Sequence, residues 1–318
     1  MSRQTIWSVQ YLRAFAALSL LSFEMAQRGG AHFPLGAAGA DLFFVISGVV
    51  VWTISEDVSP VTFWIQRTWR IVPLYWAFTL ILFSWGVIVE HAPANVVHLM
   101  ASLAFLPHPD WSGSWSPVLA QGWSINFYMA FYLLFGFCLL IQRRLQLPVL
   151  TGALVAMVAL GVLLRLDIRY PMLLEFAAGA WLAEAWRKGL LKHGAVYIAT
   201  GLAMLAWSWV APFSEGLRPI LWGLPAALIV AGALALEPIL PRLSTLRTLG
   251  DASYSFFLTQ GIVLGLAWPH LGWFSWVAVI AVAGLCHLLV ERPLHRLVSI
   301  DEHPMFWGRR RWEAYAGQ

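Results

Sequence analysis

Apolar runs about as long as a bilayer is thick recur along nearly the whole chain, and they limit the fold more than any other feature. The hydrocarbon core is about 30 Å thick, so a helix rising about 1.5 Å per residue crosses it in about 20 residues. Runs of this kind fall at 10–27, 39–55, 71–90, 117–141, 147–165, 171–187, 194–212, 218–236, 252–268 and 273–290. A soluble domain could not bury them. Of the 318 residues 60% are hydrophobic and 11% charged, where soluble domains carry roughly a quarter charged. A transmembrane barrel is excluded too, since its strands show about 10 residues of alternating pattern. The pattern predicts an all-α, polytopic membrane bundle of about ten transmembrane helices. The stretch 96–106 is apolar but too short to cross, and is expected to form a re-entrant or interfacial helix. The loop after it, HPDWSGSWSPVLAQG, suits an ordered extracytoplasmic cap.

Charge placement tests this assignment. With the N-terminus in the cytoplasm, fifteen cations fall inside: Arg3, Arg67, Arg70, Arg143, Arg144, Arg187, Lys188, Lys192, Arg242, Arg247, Arg292, Arg296 and Arg309 to Arg311. Four fall outside, namely Arg28, Arg165, Arg169 and Arg218, and Arg13 lies within the first span. This is the positive-inside bias, and it holds only if 96–106 does not cross. Both termini are therefore expected in the cytoplasm. The net charge of +4 reports topology, with the lipid bilayer as partner and no nucleic acid expected. Residues 1–300 form one transmembrane domain, and 301–318 a basic cytoplasmic tail that could dock on lipid or on protein. No signal cleavage site follows the first apolar segment, which is expected to be retained. Cys138 and Cys286 lie in apolar runs, and no P-loop, dinucleotide fingerprint or HExxH pair occurs, so no metal or redox cofactor is expected.

Ionisable groups at membrane depth cost at least about 2.5–3.5 kcal/mol on insertion scales, and each asks for a reason. Arg13 and Glu24 are eleven residues apart, so they share one face of the first helix at levels roughly 16 Å apart. Either they line a tunnel with a cationic inner mouth, or Arg13 snorkels to headgroups while Glu24 finds a partner in the bundle. Arg67 and Arg70 share a helix face, and guanidinium pairs match phosphate geometry; a plain positive flank is the alternative. Pro73 is tolerated if it lies near a helix start. Asp41 is placed to cap the second span, and Ser253 with Asp251 to cap a later one. Glu175, in LLEFAAGAW, is either interhelical glue or a lining carboxylate. His287 and Glu291, at i and i+4, can pair near the cytoplasmic end, more simply as a structural pair. His32, His91, His98 and His108 are expected to be solvated loop residues.

At these positions the chain resembles the acyltransferase-3 family, ten-helix bacterial membrane proteins that O-acylate sugars of surface polysaccharides. The resemblance rests on YLRAFAALSLLSFE, GAAGADLFFVISGVVV, RTWRIVPLYW, QGWSINFYMAFYLLF, LLEFAAGAWL, LGDASYSFFLTQ and ERPLH, and covers nearly the whole chain. It implies the bacterial inner membrane, an acyl-CoA donor entering from the cytoplasm and a carbohydrate acceptor. Arg13, Arg67 and Arg70 match the positions that hold the donor's phosphates. The family's His, eleven residues after the Arg, is here Glu24. The acid of its W-x-x-x-x-E motif is Tyr128, with Trp123 and Asn126 retained, and the His of its SYSxYLTH motif is Gln260. Two outcomes follow. Glu24, Asn126 and Tyr128 carry catalysis, with Trp123, Glu175 and Gln260 lining the site. Alternatively Glu24, Tyr128 and Gln260 form a hydrogen-bonded cluster without turnover, in a structural or assembly subunit of a larger membrane complex.

Overall fold

The computed structural model describes residues 5–56, 58–110, 113, 115–166, 169–211 and 214–294, and every regular element among them is helical. The helices are α1 (Trp7–Arg28), α2 (Gly39–Ile54), α3 (Pro60–Ile88), α4 (Val96–Leu103), α5 (Gly122–Cys138), α6 (Arg143–Leu163), α7 (Leu173–Arg187), α8 (Gly194–Ser208), α9 (Leu224–Ala235), α10 (Ser244–Asp251), α11 (Ser253–Leu271) and α12 (Ser275–Cys286). Five stretches are long and apolar enough to cross a membrane: Pro34–Ile54, Pro60–Ile88, Arg143–Leu163, Glu215–Ala235 and Ser253–Leu294. The last contains α11 and α12, which fold back on each other where Gly272, at φ +52°, ends α11. The stretch expected to be too short to cross forms the eight-residue α4.

Helix ends follow the spare N–H groups that must be satisfied there. Ser59 Oγ accepts from the Thr62 N–H at 3.1 Å and Pro60 holds the first position, so α3 starts well before its apolar run. Arg67 and Arg70 therefore sit inside the helix. Pro73 is interior as well, not near a start as its tolerance suggested. α5 begins at Gly122, after the loop that precedes it, and α10 is a short helix that the apolar pattern does not signal. Asp41 does not cap α2; it lies in the first turn and turns to a distant arginine. Asp251 and Ser253 make no cap for α11 either, because Asp251 closes α10 and the α11 cap position, Ala252, has no side-chain acceptor. At α1 the cap comes from far along the chain. Glu237 accepts from the Trp7 and Ser8 N–H groups at 2.7 and 2.8 Å.

Close helix approach builds the centre. Gly48 on α2 faces Gly179 on α7, and a Cβ on either would overlap the other helix's backbone. Around this contact Phe44, Phe131 and Phe176 stack with ring centres 4.4 to 4.7 Å apart. Outward-facing side chains such as Ile88, Leu163 and Leu289 are apolar and exposed, as lipid contact requires. Two of the cations expected on one side, Arg143 and Arg187, meet where α2 and α7 end and α6 begins. There Arg187 pairs with Glu184 and Glu56, and Arg143 donates to the Trp52 carbonyl at 2.9 Å. Arg3, Arg296, Arg309 to Arg311 and the tail 301–318 lie outside the described residues.

Candidate functional site

One internal cavity of about 100 Å³ lies among α1, α2, α3, α5 and α11. Three of the residues lining it are Arg13, Arg67 and Arg70; among the described residues of the wall none is acidic and none is a histidine. Its other polar walls are hydroxyls, from Ser47, Ser124, Tyr128, Tyr132, Ser253 and Tyr254. Arg13 Nε donates to Ser253 Oγ at 3.2 Å, which fixes the guanidinium between α1 and α11. Arg67 lies over the rings of Phe63 and Tyr132, 5.6 and 5.8 Å from their centres. Arg70, one helical turn on, joins it on the same wall because residues three apart on a helix are neighbours. Tyr254 donates to the Ile71 carbonyl at 2.7 Å and ties α11 to this turn of α3.

Guanidinium groups held in a poorly solvated space repel one another and call for negative charge. With no carboxylate among the described residues of the wall, the arrangement can hold an anion. Guanidinium is planar and forks its N–H groups, which matches phosphate oxygens in pairs. The hydroxyls can serve as further donors. At about 100 Å³ the space takes a phosphate-sized group and a slender chain, while a nucleotide's bulk stays at the mouth.

Of the residues singled out in the sequence, the fold brings together Arg13, Arg67, Arg70 and Tyr128. Glu24 does not line the cavity. It is half-buried near the far end of α1, in the field of Arg28, since eleven residues of helix carry it beyond so small a space. The Glu24, Tyr128 and Gln260 cluster is not formed: Tyr128 accepts from Ser47 Oγ at 3.2 Å, and Gln260 Oε1 is buried with no hydrogen-bond partner among the described residues. Asn126 Oδ1 is likewise buried without a partner there. His98 is buried at 8% exposure against His108, not a solvated loop residue, because α4 folds it inward. His32 and His91 are exposed.

Trp123 and Glu175 belong to a second polar group on the far side of an aromatic wall. Arg218 grips Asp41 through Nε and Nη2 at 3.3 and 3.0 Å and donates to the Ala37 carbonyl at 3.0 Å. The Glu175 carboxyl adjoins Asp41 and packs on Gly223, while Arg169 and Arg218 lie over the Trp123 ring. Phe44, Tyr128 and Phe176, with centres 4.7 to 5.3 Å apart, stand between this group and the cavity. Arg218 was legible only as an outer-loop cation; its one signal was the Pro219 that follows and starts a buried helical turn.

An acyltransferase domain model matches residues 6–290 of this chain. The chain belongs to the acyltransferase-3 family. Among its relatives, the exopolysaccharide production protein ExoZ of Rhizobium meliloti (strain 1021) is 37% identical over 303 residues, covering 86% of this chain and 94% of that protein. Acyltransferase MdmB of Streptomyces mycarofaciens is 25% identical, covering 92% of each chain. No solved structure matches. For an acyltransferase-3 protein the cavity's position matters, because the matched region contains all five helices that build it.

Proposed function

We propose that this protein is a ten-crossing O-acyltransferase of the bacterial inner membrane, with both termini cytoplasmic, which passes an acyl group from acyl-CoA to a hydroxyl of an envelope carbohydrate. One observation carries the reading: Arg13, Arg67 and Arg70 converge on one cavity with no acid among the described residues of its wall. CoA offers phosphates to these guanidinium groups, and its pantetheine arm is slender enough to enter the cavity beside Tyr128. The family membership and a relative named for exopolysaccharide production support the chemistry and the acceptor class.

In this scheme the acceptor oxygen attacks the thioester carbonyl, the carbon–sulfur bond breaks, and the hydroxyl proton passes to a base. Glu24, with its half-buried carboxyl toward the opposite end of α1, is the base on the acceptor side in this reading, and Asn126 and Gln260 are assigned to help it, each with a buried oxygen that has no partner among the described residues. Tyr128 serves the donor side from the cavity wall.

The test is transfer of labelled acetyl from acetyl-CoA to exopolysaccharide by purified, reconstituted protein, beside Arg67→Ala and Glu24→Gln. Transfer that falls in both variants supports the scheme. CoA binding without turnover in the unaltered protein would assign it instead to the non-catalytic subunit role, and absence of CoA binding would remove both donor and reaction.

A further inference from the structure

Behind the arginine cavity lies a buried cluster that the donor reading leaves unused. In the π turn after α12 (His287–Glu291), Glu291 Oε2 accepts from Ser255 Oγ at 2.5 Å and is hydrogen-bonded to His287 Nδ1 at 2.9 Å. An ionised carboxylate only accepts, so Nδ1 carries the hydrogen. His287 is 5% exposed, Glu291 4% and Ser255 0%. The other imidazole nitrogen, Nε2, has no hydrogen-bond partner among the described residues. π turns inside helices occur frequently at functional sites.

This cluster is electrically part of the cavity. Ser253 and Tyr254, the two residues before Ser255, line the cavity wall. Glu291 leads the carboxylates whose charge acts on Arg13, and Arg70 acts on Glu291 in turn. Two cavity arginines therefore share a counter-charge, and the protonation of His287 decides how much of it is left.

We infer that the arginine cavity is a proton-coupled anion site whose coupled proton sits on His287. With His287 neutral, the pair carries one negative charge and cancels part of the arginine field. With His287 protonated, the pair is neutral and the full field meets the anion. An anion that enters supplies the negative charge the arginines otherwise feel from Glu291, and leaves Glu291 to hold an imidazolium. Binding therefore takes up a proton, and by reciprocity a fall in pH tightens binding. The groups facing the pair are Ser255 and Tyr254 from α11, Arg70 from α3 and Arg13 from α1, with Cys286 beside Ser255 and Asp251 near Arg13. Of their ordinary values, only an imidazole's falls between about pH 6 and 8. The inference rests on the donor reading only for the anion's name.

Calorimetric titration of the full chain in detergent tests it, with CoA and separately with sulfate, which does not titrate in this range. Two buffers of different ionisation enthalpy report the protons taken up. The unaltered protein should take up as much as about one proton per anion, with affinity rising by up to about tenfold per unit fall in pH. His287→Gln, which keeps a donor for Glu291, should show almost no uptake and a nearly flat pH dependence. Glu291→Gln should bind anions more tightly at high pH and also lose the uptake, and it carries the test if the first variant fails to fold. Equal uptake of protons with sulfate in the unaltered protein and His287→Gln overturns the inference, as does failure of both anions to bind. Sulfate binding with uptake, but no CoA binding, overturns the donor reading and leaves this one standing.

Discussion

Arg218 and Asp41, 177 residues apart in sequence, meet in a two-pronged ion pair where Asp41 is fully buried and Arg218 only 6% exposed. The pair joins the start of α2 to the segment leading into α9, and Glu175 of α7 packs beside it. Arg218→Met would leave two buried carboxyls without their cation. Loss of about 3–5 kcal/mol is expected, the scale for breaking a buried pair from one side. Unfolding in detergent measures it, and adding Asp41→Asn to Arg218→Met should recover part of the loss. Unchanged stability in the single variant would show that the pair holds nothing together.

The Gly48 and Gly179 contact makes a second expectation. Gly179→Ala pushes a methyl group into the Val45 carbonyl oxygen, which neither helix can avoid without separating. The cost should be about 1–3 kcal/mol, the range for overpacking a tight core. Gly152→Ala is the control, because nothing lies near its would-be Cβ, and it should be neutral or stabilise by up to about 1 kcal/mol. Equal effects at the two positions would remove close packing as the reason for the glycine.

Donor and acceptor functions should separate between the cavity and the far end of α1. Arg67→Ala removes a cavity guanidinium and should weaken CoA binding at least about tenfold, or about 1.4 kcal/mol. Glu24→Gln should leave CoA affinity within about twofold, since Glu24 is outside the cavity wall, while lowering transfer. Equilibrium binding and transfer assays on the same preparations decide this. A loss of CoA affinity in Glu24→Gln would place that carboxyl in the donor site after all.

On the short helix α4, burial holds the His98 imidazole below its usual titration range; His108 pushes the same way and Asp110 opposes. As pH falls through the ordinary imidazole value of about 6.5, the unfolded chain takes the proton first. Stability present above that pH is therefore lost below it, until folded His98 also protonates. His98→Gln should make thermal stability flatter across this acid window. An unchanged acid limb in the variant would clear His98 of any part in it.

Arg13 shows how far the chain could be read without coordinates. Its place in the first span and its spacing from Glu24 left open a cationic tunnel mouth or a snorkelling side chain, and the family resemblance grouped it with Arg67 and Arg70. Those three arginines do share a cavity. On the tunnel alternative Glu24 would continue the same passage, yet it does not line the cavity, because periodicity gives a face and a height but not which neighbouring side chains fill the space between. His98 misled for a related reason: a loop position in sequence says nothing about whether a short helix will fold inward.

Helicity and membrane residence follow from the chain alone, since apolar length acts locally and needs no partner. Which groups meet was decided by the tertiary structure. Asp41 looked like a cap until Arg218 arrived from 177 residues away, and α1 is capped by Glu237. His287 became more than half of an i, i+4 pair only when α11 brought Ser255 to Glu291, beside the arginines. Contacts between distant segments depend on how helices pack and which glycines let them close, and that information is spread over the whole sequence rather than written in any one motif.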